Sequence, residues 1–189
     1  MPGIIILAAG SSGRLGSPKQ NLIYKGQTLL QRAIKTAVAS ACGPVIVVLG
    51  ANENVIRQSI EGSKATIVYN ADWQEGMASS IRVGITALKK KHPESDAVIL
   101  MLCDQPFVDT SLLNQFVQKR SAKGIIACAY NDTIGPPVLF DAFYFDDLLL
   151  LKGQEGAKKL LMKHQHDIVT IQFPLGSVDI DTVEDFERL

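Results

Sequence analysis

Net charge is missing from this chain of 189 residues: 19 Lys and Arg balance 19 Asp and Glu. Without a net field nothing draws in nucleic acid or an anionic membrane, so an anion must be bound by a local site and small molecules are the expected partners. Cysteine is scarce. Cys42, Cys103 and Cys128 are odd in number, widely spaced and set among apolar or small residues, which excludes a disulfide framework or metal knuckle and fits a reducing cytoplasm. Long apolar runs are also lacking. The run 4–9 is too short to span a bilayer and no positive residue precedes it, so it reads as a buried strand rather than part of a signal peptide. Histidine is limited to His92, His164 and His166, all in charged stretches; the last two, two positions apart, would not face each other as metal ligands on a helix.

What the chain does have is a hydrophobic fraction of 47%, enough for one sizeable core, and residues 1–189 are expected to form a single domain. Continuous β-branched runs recur at 4–7, 45–49, 66–69, 97–102 and 125–129. Lacking polar alternation, they suit strands buried on both faces, as in a parallel sheet. Between them the apolar spacing predicts helices over 29–39, 53–60, 77–90 and 112–119. Strand then helix, repeated, means an α/β three-layer sandwich with a mostly parallel, Rossmann-like sheet. After Tyr130 the texture changes. Gly135-Pro136-Pro137 breaks the pattern before a short strand over 138–140; helices are expected over 146–152 and 156–163, a strand over 168–173 and a terminal helix over 183–189. This part is expected to be an antiparallel C-terminal addition.

Residues 10–25 hold Gly, Ser, Pro and charge with no apolar period, a long loop directly after the first strand. Long loops at such points are usually functional. Gly10, Gly13 and Gly16 stand at three-residue spacing, which lets backbone amides approach an anion closely. The spacing is not G-x-G-x-x-G, and no glycine precedes Lys19 as a G-x-x-x-x-G-K-[ST] loop requires. Arg14 and Lys19 add a fork and a point charge, two cations suited to a triphosphate whose charge grows on the leaving oxygens. The plainer alternative is a solvated loop with incidental cations.

The strand at 97–102 runs into Cys103-Asp104-Gln105-Pro106, so Asp104 should emerge at the C-terminal edge of the sheet, where open α/β folds bind ligands. With a strand order 3-2-1-4, the edges of the first and fourth strands are neighbours and Asp104 stands beside the Gly-rich loop. A carboxylate facing a triphosphate is repulsive unless a cation bridges them. Mg²⁺, which takes one or two carboxylates plus phosphate oxygens, is the expected ion. Asp179-Ile180-Asp181 offers the second carboxylate, since alternate residues of an extended stretch share a face; Asp181 is equally placed to cap the terminal helix.

Leu7-Ala8-Ala9-Gly10 with Ser12, Arg14, Gly16 and Lys19 resembles the L-A-A-G-x-S-x-R-x-G-x-x-K signature of the MobA-like nucleotidyltransferases, which attach CMP or GMP to molybdopterin. Residues 70–81 resemble that family's N-x-x-W-x-x-G-M-x-x-S-I segment, and Asp104-Gln105-Pro106 the D-Q-P of its cytidylyltransferase branch. The stretches 135–140, 153–158 and 179–185 extend the likeness nearly end to end. The resemblance implies that Leu7, Ala8, Ala9 and Gly10 hold base and ribose, with Ser12 and Gly13 in the same nucleotide loop. It further implies that Arg14 and Lys19 hold the phosphates, that Asp104 and Asp181 hold Mg²⁺, and that Gly76, Ser79 and Ser80 face the nucleotide or acceptor. Opening a helix is the alternative role for the last three. The implied partners are a nucleoside triphosphate, CTP before GTP, a phosphorylated molybdopterin-like acceptor, and a molybdoenzyme that receives the product. Gln154, where the family often has Asp, and Val183, where it often has Pro, are departures that bear on the acceptor side.

The chemistry implied is in-line attack of an acceptor phosphate oxygen on the α-phosphorus, with Arg14, Lys19 and Asp104 as the catalytic candidates and pyrophosphate leaving. A phosphate monoester, with a second pKa of about 6, needs no general base. The rivals are a sugar-phosphate or polyol-phosphate nucleotidyltransferase, a non-catalytic nucleotide or cofactor carrier, and a dinucleotide oxidoreductase. The last is disfavoured because the second strand ends in Gly50-Ala51-Asn52 without an acidic residue to hold a ribose. Cys103 reads as packing and Lys89-Lys90-Lys91 as a solvated helix end.

Overall fold

The computed structural model describes residues 1–13, 17–180 and 185–186. Its centre is a seven-stranded sheet. Five of the strands are β1 (Gly3–Ala8), β4 (Val45–Leu49), β5 (Thr66–Tyr69), β6 (Ala97–Leu102) and β7 (Ile125–Tyr130). The other two are β8 (Thr133–Asp141) and β9 (Ile168–Gln172), while β2 (Ile23–Tyr24) and β3 (Gln27–Thr28) form a separate small hairpin. The order β5-β4-β1-β6-β8-β7-β9 contains the expected 3-2-1-4 core. Of the C-terminal strands only β8 runs antiparallel; β9 pairs parallel with β7. The antiparallel addition is therefore one strand inserted between β6 and β7.

Strand β1 shows why the sheet is covered on both faces. Ile4 and Ile6 pack on one side and Ile5 on the other, all fully buried, as a period of two requires. The first face carries α1 (Leu29–Ala39), α2 (Glu53–Ser59) and α4 (Thr110–Lys119), through residues such as Leu30, Ile56 and Phe116. Against the second face lie α3 (Met77–Lys91), α5 (Phe145–Leu149) and α6 (Ala157–Lys163), through Ile81, Leu148 and Leu160. Thr28 opens α1 with a capping box, its hydroxyl accepting from the Gln31 amide while the Gln31 side chain accepts from the Thr28 amide.

Helix α5 stops at Leu149, short of the expected 152, because Leu150 faces solvent while Leu151 turns back into the core. Nor does Gly135-Pro136-Pro137 end a strand. It lies inside β8, where the register against β7 jumps: Ala127 pairs with Val138, and Cys128 with Gly135. The two prolines fall in the jump, where no ladder bond is asked of the N–H they lack. Most of the terminal helix expected over 183–189 lies outside the described residues; Asp185 and Phe186 are helical.

Candidate active site

A cleft of about 340 Å³ opens at the C-terminal edges of β1 and β6. Its floor is Leu7, Ala8, Ala9 and Gly10, one wall is Leu102, Cys103 and Asp104, and the opposite wall is Trp73, Gln74, Gly76, Met77 and Ser80. Lys19 and Gln20 close the side under the Gly-rich loop, and Gln154 stands on the rim. Of the residues singled out in the sequence, the cleft thus brings together Leu7, Ala8, Ala9, Gly10, Lys19, Gly76, Ser80 and Asp104. Ser12, Gly13 and Ser79 do not line it; Arg14 and Asp181 lie outside the described residues.

The loop's shape depends on Gln20, a residue with no mark in the sequence pattern. Its side chain is fully buried, and its Nε2 donates to the carbonyls of Ala8 at 2.9 Å and Gly10 at 3.1 Å. Its Oε1 accepts from the Ser12 hydroxyl at 3.3 Å, and that hydroxyl accepts in turn from the Lys19 amide at 3.0 Å. Ser12, in the left-handed region at φ 56°, therefore folds the loop back on the strand it leaves. A Cβ on Gly10 would meet nothing within 4 Å, so the space over its backbone is open to a ligand.

Lys19 is carried by this fold to Asp104. Its Nζ lies 2.5 Å from Oδ2, with the two side chains 18% and 11% exposed. The other carboxylate oxygen, Oδ1, is buried with no hydrogen-bond partner among the described residues. A half-satisfied buried carboxylate suits a site that recruits a further cation, since an unpaired buried acceptor is costly. One such carboxylate with phosphate oxygens and water is the donor set Mg²⁺ accepts. The Ile180 amide donates to the Asp104 carbonyl at 3.2 Å, which brings the C-terminal segment alongside Asp104. No cluster of three or more His, Cys, Asp or Glu able to hold a metal ion occurs among the described residues.

Neighbours of Asp104 are fixed rather than reactive. Burial pushes the Cys103 thiol up to about 12, helped by the Asp104 charge, so it stays protonated. Gln105, also buried, donates from Nε2 to the carbonyls of Pro136 and Gly176, both at 3.1 Å. It braces the post-β6 turn against β8 and the C-terminal segment. Burial first, and then the charge of Asp179, raises Tyr130 to about 12.

The opposite wall is built from the turn between β5 and α3. Buried Asn70 donates to the hydroxyls of Ser79 at 2.8 Å and Ser80 at 3.0 Å and accepts from the Asp72 amide at 3.0 Å. Ser79 in turn donates to the Gly76 carbonyl at 2.8 Å, a bracing role within the turn. Gly76 has φ 123° and ψ −170°, and a Cβ there would stand 2.4 Å from the Gly153 carbonyl oxygen. Only glycine fits, for both reasons. The Ala78 amide donates to that same carbonyl at 3.1 Å, and Glu75 accepts from the Gly153 amide at 3.3 Å while pairing with Arg82 at 2.5 Å. Hydrogen bonds from Arg82, then from Gly153, hold the Glu75 carboxyl below its ordinary range. Gln154 is thereby set on the rim. No side chain caps α3, and Gly76, Met77 and Ser80 at its start line the cleft. Gly50 completes the wall: without a side chain there, Trp73 can sit on the end of β4.

A larger hollow, about 630 Å³, lies between the β7–β8 turn and α6 and is bordered by Tyr130, Asp132, Lys158 and Gln172. It contains neither the Gly-rich loop nor Asp104. Chemistry converges on the smaller cleft.

Fold and cleft together define an α/β protein with its candidate ligand cleft at the C-terminal edges of the sheet, where open α/β folds bind ligands. Residues 4–168 match the MobA-like NTP transferase domain, and the chain belongs to that family: it is a nucleotidyltransferase. It is 30% identical to nicotine blue oxidoreductase of Paenarthrobacter nicotinovorans, over 98% of this chain and 94% of the relative. With molybdenum cofactor cytidylyltransferase of Escherichia coli K12 it shares 27% identity over 96% and 92% of the two chains. A manganese complex of Rv0371c from Mycobacterium tuberculosis H37Rv superposes with a TM-score of 0.82 at 29% identity, covering 99% of this chain and 96% of that one. No described helix is long and apolar enough to cross a membrane.

Proposed function

We propose that this nucleotidyltransferase is Mg²⁺-dependent and moves CMP, in preference to GMP, from the triphosphate to the phosphate of a molybdopterin-type acceptor. The observation that carries the reading is the Lys19–Asp104 pair at the mouth of the Gly-rich loop, with Asp104 Oδ1 unpartnered among the described residues. The likeness to the Escherichia coli cytidylyltransferase, whose branch Asp104-Gln105-Pro106 resembles, supports CMP and the acceptor class. The manganese in Rv0371c supports a divalent ion. The likeness to nicotine blue oxidoreductase does not carry a dinucleotide reading over to this chain, whose β4 ends in Gly50-Ala51-Asn52 without a carboxylate for a ribose.

Base and ribose lie on Leu7 to Gly10, and the triphosphate runs under the loop toward Lys19 and the open end of α3. Asp104, with Asp181 or Asp179, would hold the ion, which would supply positive charge to the phosphates. The acceptor oxygen attacks the α-phosphorus from the side opposite the pyrophosphate. As the new P–O bond forms, the bond to the β-phosphate oxygen breaks and its electron pair leaves with pyrophosphate. Lys19 donates to the charge that develops there. The buried neutral Cys103 and the braced Gln105 keep the wall behind Asp104 rigid.

The test is pyrophosphate release from CTP and from GTP with Mg²⁺ and molybdopterin. CTP is expected to be the better donor, and Asp104→Ala to lose on the order of 100-fold or more in kcat/KM with its circular dichroism unchanged. Release in Asp104→Ala at the parent rate would remove Asp104 from the chemistry. Release with a sugar phosphate or polyol phosphate in place of molybdopterin would reassign the acceptor, and none with any acceptor would leave a carrier.

A further inference from the structure

The pairing of Lys19 with Asp104 has a geometry that bears on the order in which ligands enter. Oδ1 of Asp104 is sealed from solvent, so the small exposure left to this side chain lies elsewhere on it. Oδ2 is in contact with the Lys19 ammonium at 2.5 Å. A cation reaching this carboxylate from the cleft therefore competes with the Lys19 ammonium for Oδ2. Lys19 is well fixed there, since its backbone amide is tied to Ser12 and Ser12 is tied to buried Gln20. Ammonium and divalent ion are alternative partners for one carboxylate.

We propose that Lys19 gates the cation site: its ammonium holds Asp104 until a triphosphate draws it away, so that triphosphate and metal bind cooperatively and the metal alone binds poorly. This rests on the reading of Asp104 as the cation's carboxylate. The physical basis is exchange of partners within one buried cluster. Moving Lys19 from Asp104 to phosphate oxygens leaves the carboxylate without its counter-charge, which in a partly buried site is strongly unfavourable unless another cation arrives. The divalent ion supplies that charge and takes phosphate oxygens as well. Each ligand thus lowers the cost of admitting the other, and the coupling is reciprocal.

The gate predicts an unusual sign for a substitution in a binding site. Lys19→Met keeps an unbranched side chain of similar reach but removes the charge. With Mn²⁺ alone as probe, followed by loss of the free-ion paramagnetic resonance signal, the variant is expected to bind about tenfold or more tightly than the parent. Adding Asp104→Asn to the variant should abolish the gained site. In the chelator EDTA the order reverses for CTP, with Lys19→Met binding more weakly than the parent. Should Lys19→Met not fold, Lys19→Gln removes the same charge and takes its place. Mn²⁺ affinity in the charge-removed variant no higher than in the parent would overturn the gate. If Asp104→Ala nonetheless abolished pyrophosphate release, the transferase reading would stand without it. A gain in Mn²⁺ binding that survived Asp104→Asn would sink the gate together with the assignment of Asp104 to the ion.

Discussion

Gln20 does for the nucleotide loop what no glycine in it does: from a fully buried position its side chain ties the loop to the end of β1 through three hydrogen bonds, to the Ala8 and Gly10 carbonyls and the Ser12 hydroxyl. Replacing it by Leu keeps most of the volume and removes the donor that two carbonyls use. The expected cost is about 1–3 kcal/mol, a fall of roughly 2–4 °C in Tm per kcal/mol for a chain of this size. The loop should also lose its pre-set shape, so the KM for the triphosphate rises more than kcat falls. A thermal melt and a steady-state titration read both, and a variant matching the parent in each would remove Gln20 from this role. Asp104 was legible in sequence because it ends a buried apolar run, where an acidic residue has no packing reason to be. Gln20 was not, since a polar residue inside a polar loop reads as solvent-facing until the loop is closed around it. Ser12, picked out as part of the nucleotide loop, has its hydroxyl bonded to Gln20 and to the Lys19 amide, contacts that its sequence position does not announce.

Among the elements, the start of α3 and the segment 153–156 form one unit. The Gly153 carbonyl accepts from Ala78 and lies against Gly76, the Gly153 amide meets Glu75, and Arg82 holds Glu75 while donating to the Leu151 carbonyl at 2.8 Å. Gly76→Ala forces a Cβ into that contact at a φ of 123°, in backbone space that costs on the order of 1–3 kcal/mol for a residue with a side chain. Calorimetry should show Tm lowered by several degrees, and Gln154, carried on the displaced segment, should alter the KM for acceptor as well as for nucleotide. An unchanged acceptor KM would show that 153–156 does not share the site. The four helices up to α4 were legible from apolar spacing within one or two residues, because each buries one stripe on the sheet. The contact between 76 and 153 was not, since it joins positions far apart in sequence through backbone atoms that carry no residue signal. The same holds for Pro136 and Pro137: prolines in sequence argue for a break, and only the register against β7 shows a strand that needs no N–H at those two places.

At the scale of the molecule, the order β5-β4-β1-β6 puts the edges of β1 and β6 side by side, and so sets the Gly-rich loop next to Asp104 although they are distant in sequence. Strand alternation predicted this adjacency once the order was assumed; the insertion of β8 between β6 and β7 had no comparable signal, because a short apolar run does not declare its place in the strand order. With no net charge to concentrate anions, affinity must arise within the cleft, and binding there should stabilise the whole sheet that frames it. A ligand that binds only the folded protein adds about 2.7 kcal/mol when present at 100 times its Kd, which for a chain of this length is a rise in Tm of roughly 5–10 °C. A thermal-shift panel of CTP, GTP, ATP and UTP, each with and without Mg²⁺, therefore reads the donor preference without any acceptor. CTP with Mg²⁺ is expected to give the largest rise, and Mg²⁺ alone almost none because Lys19 stands on Asp104. A larger rise with GTP would move this chain to the guanylyl branch, while equal rises for all four would place nucleotide choice outside the residues that line the cleft floor.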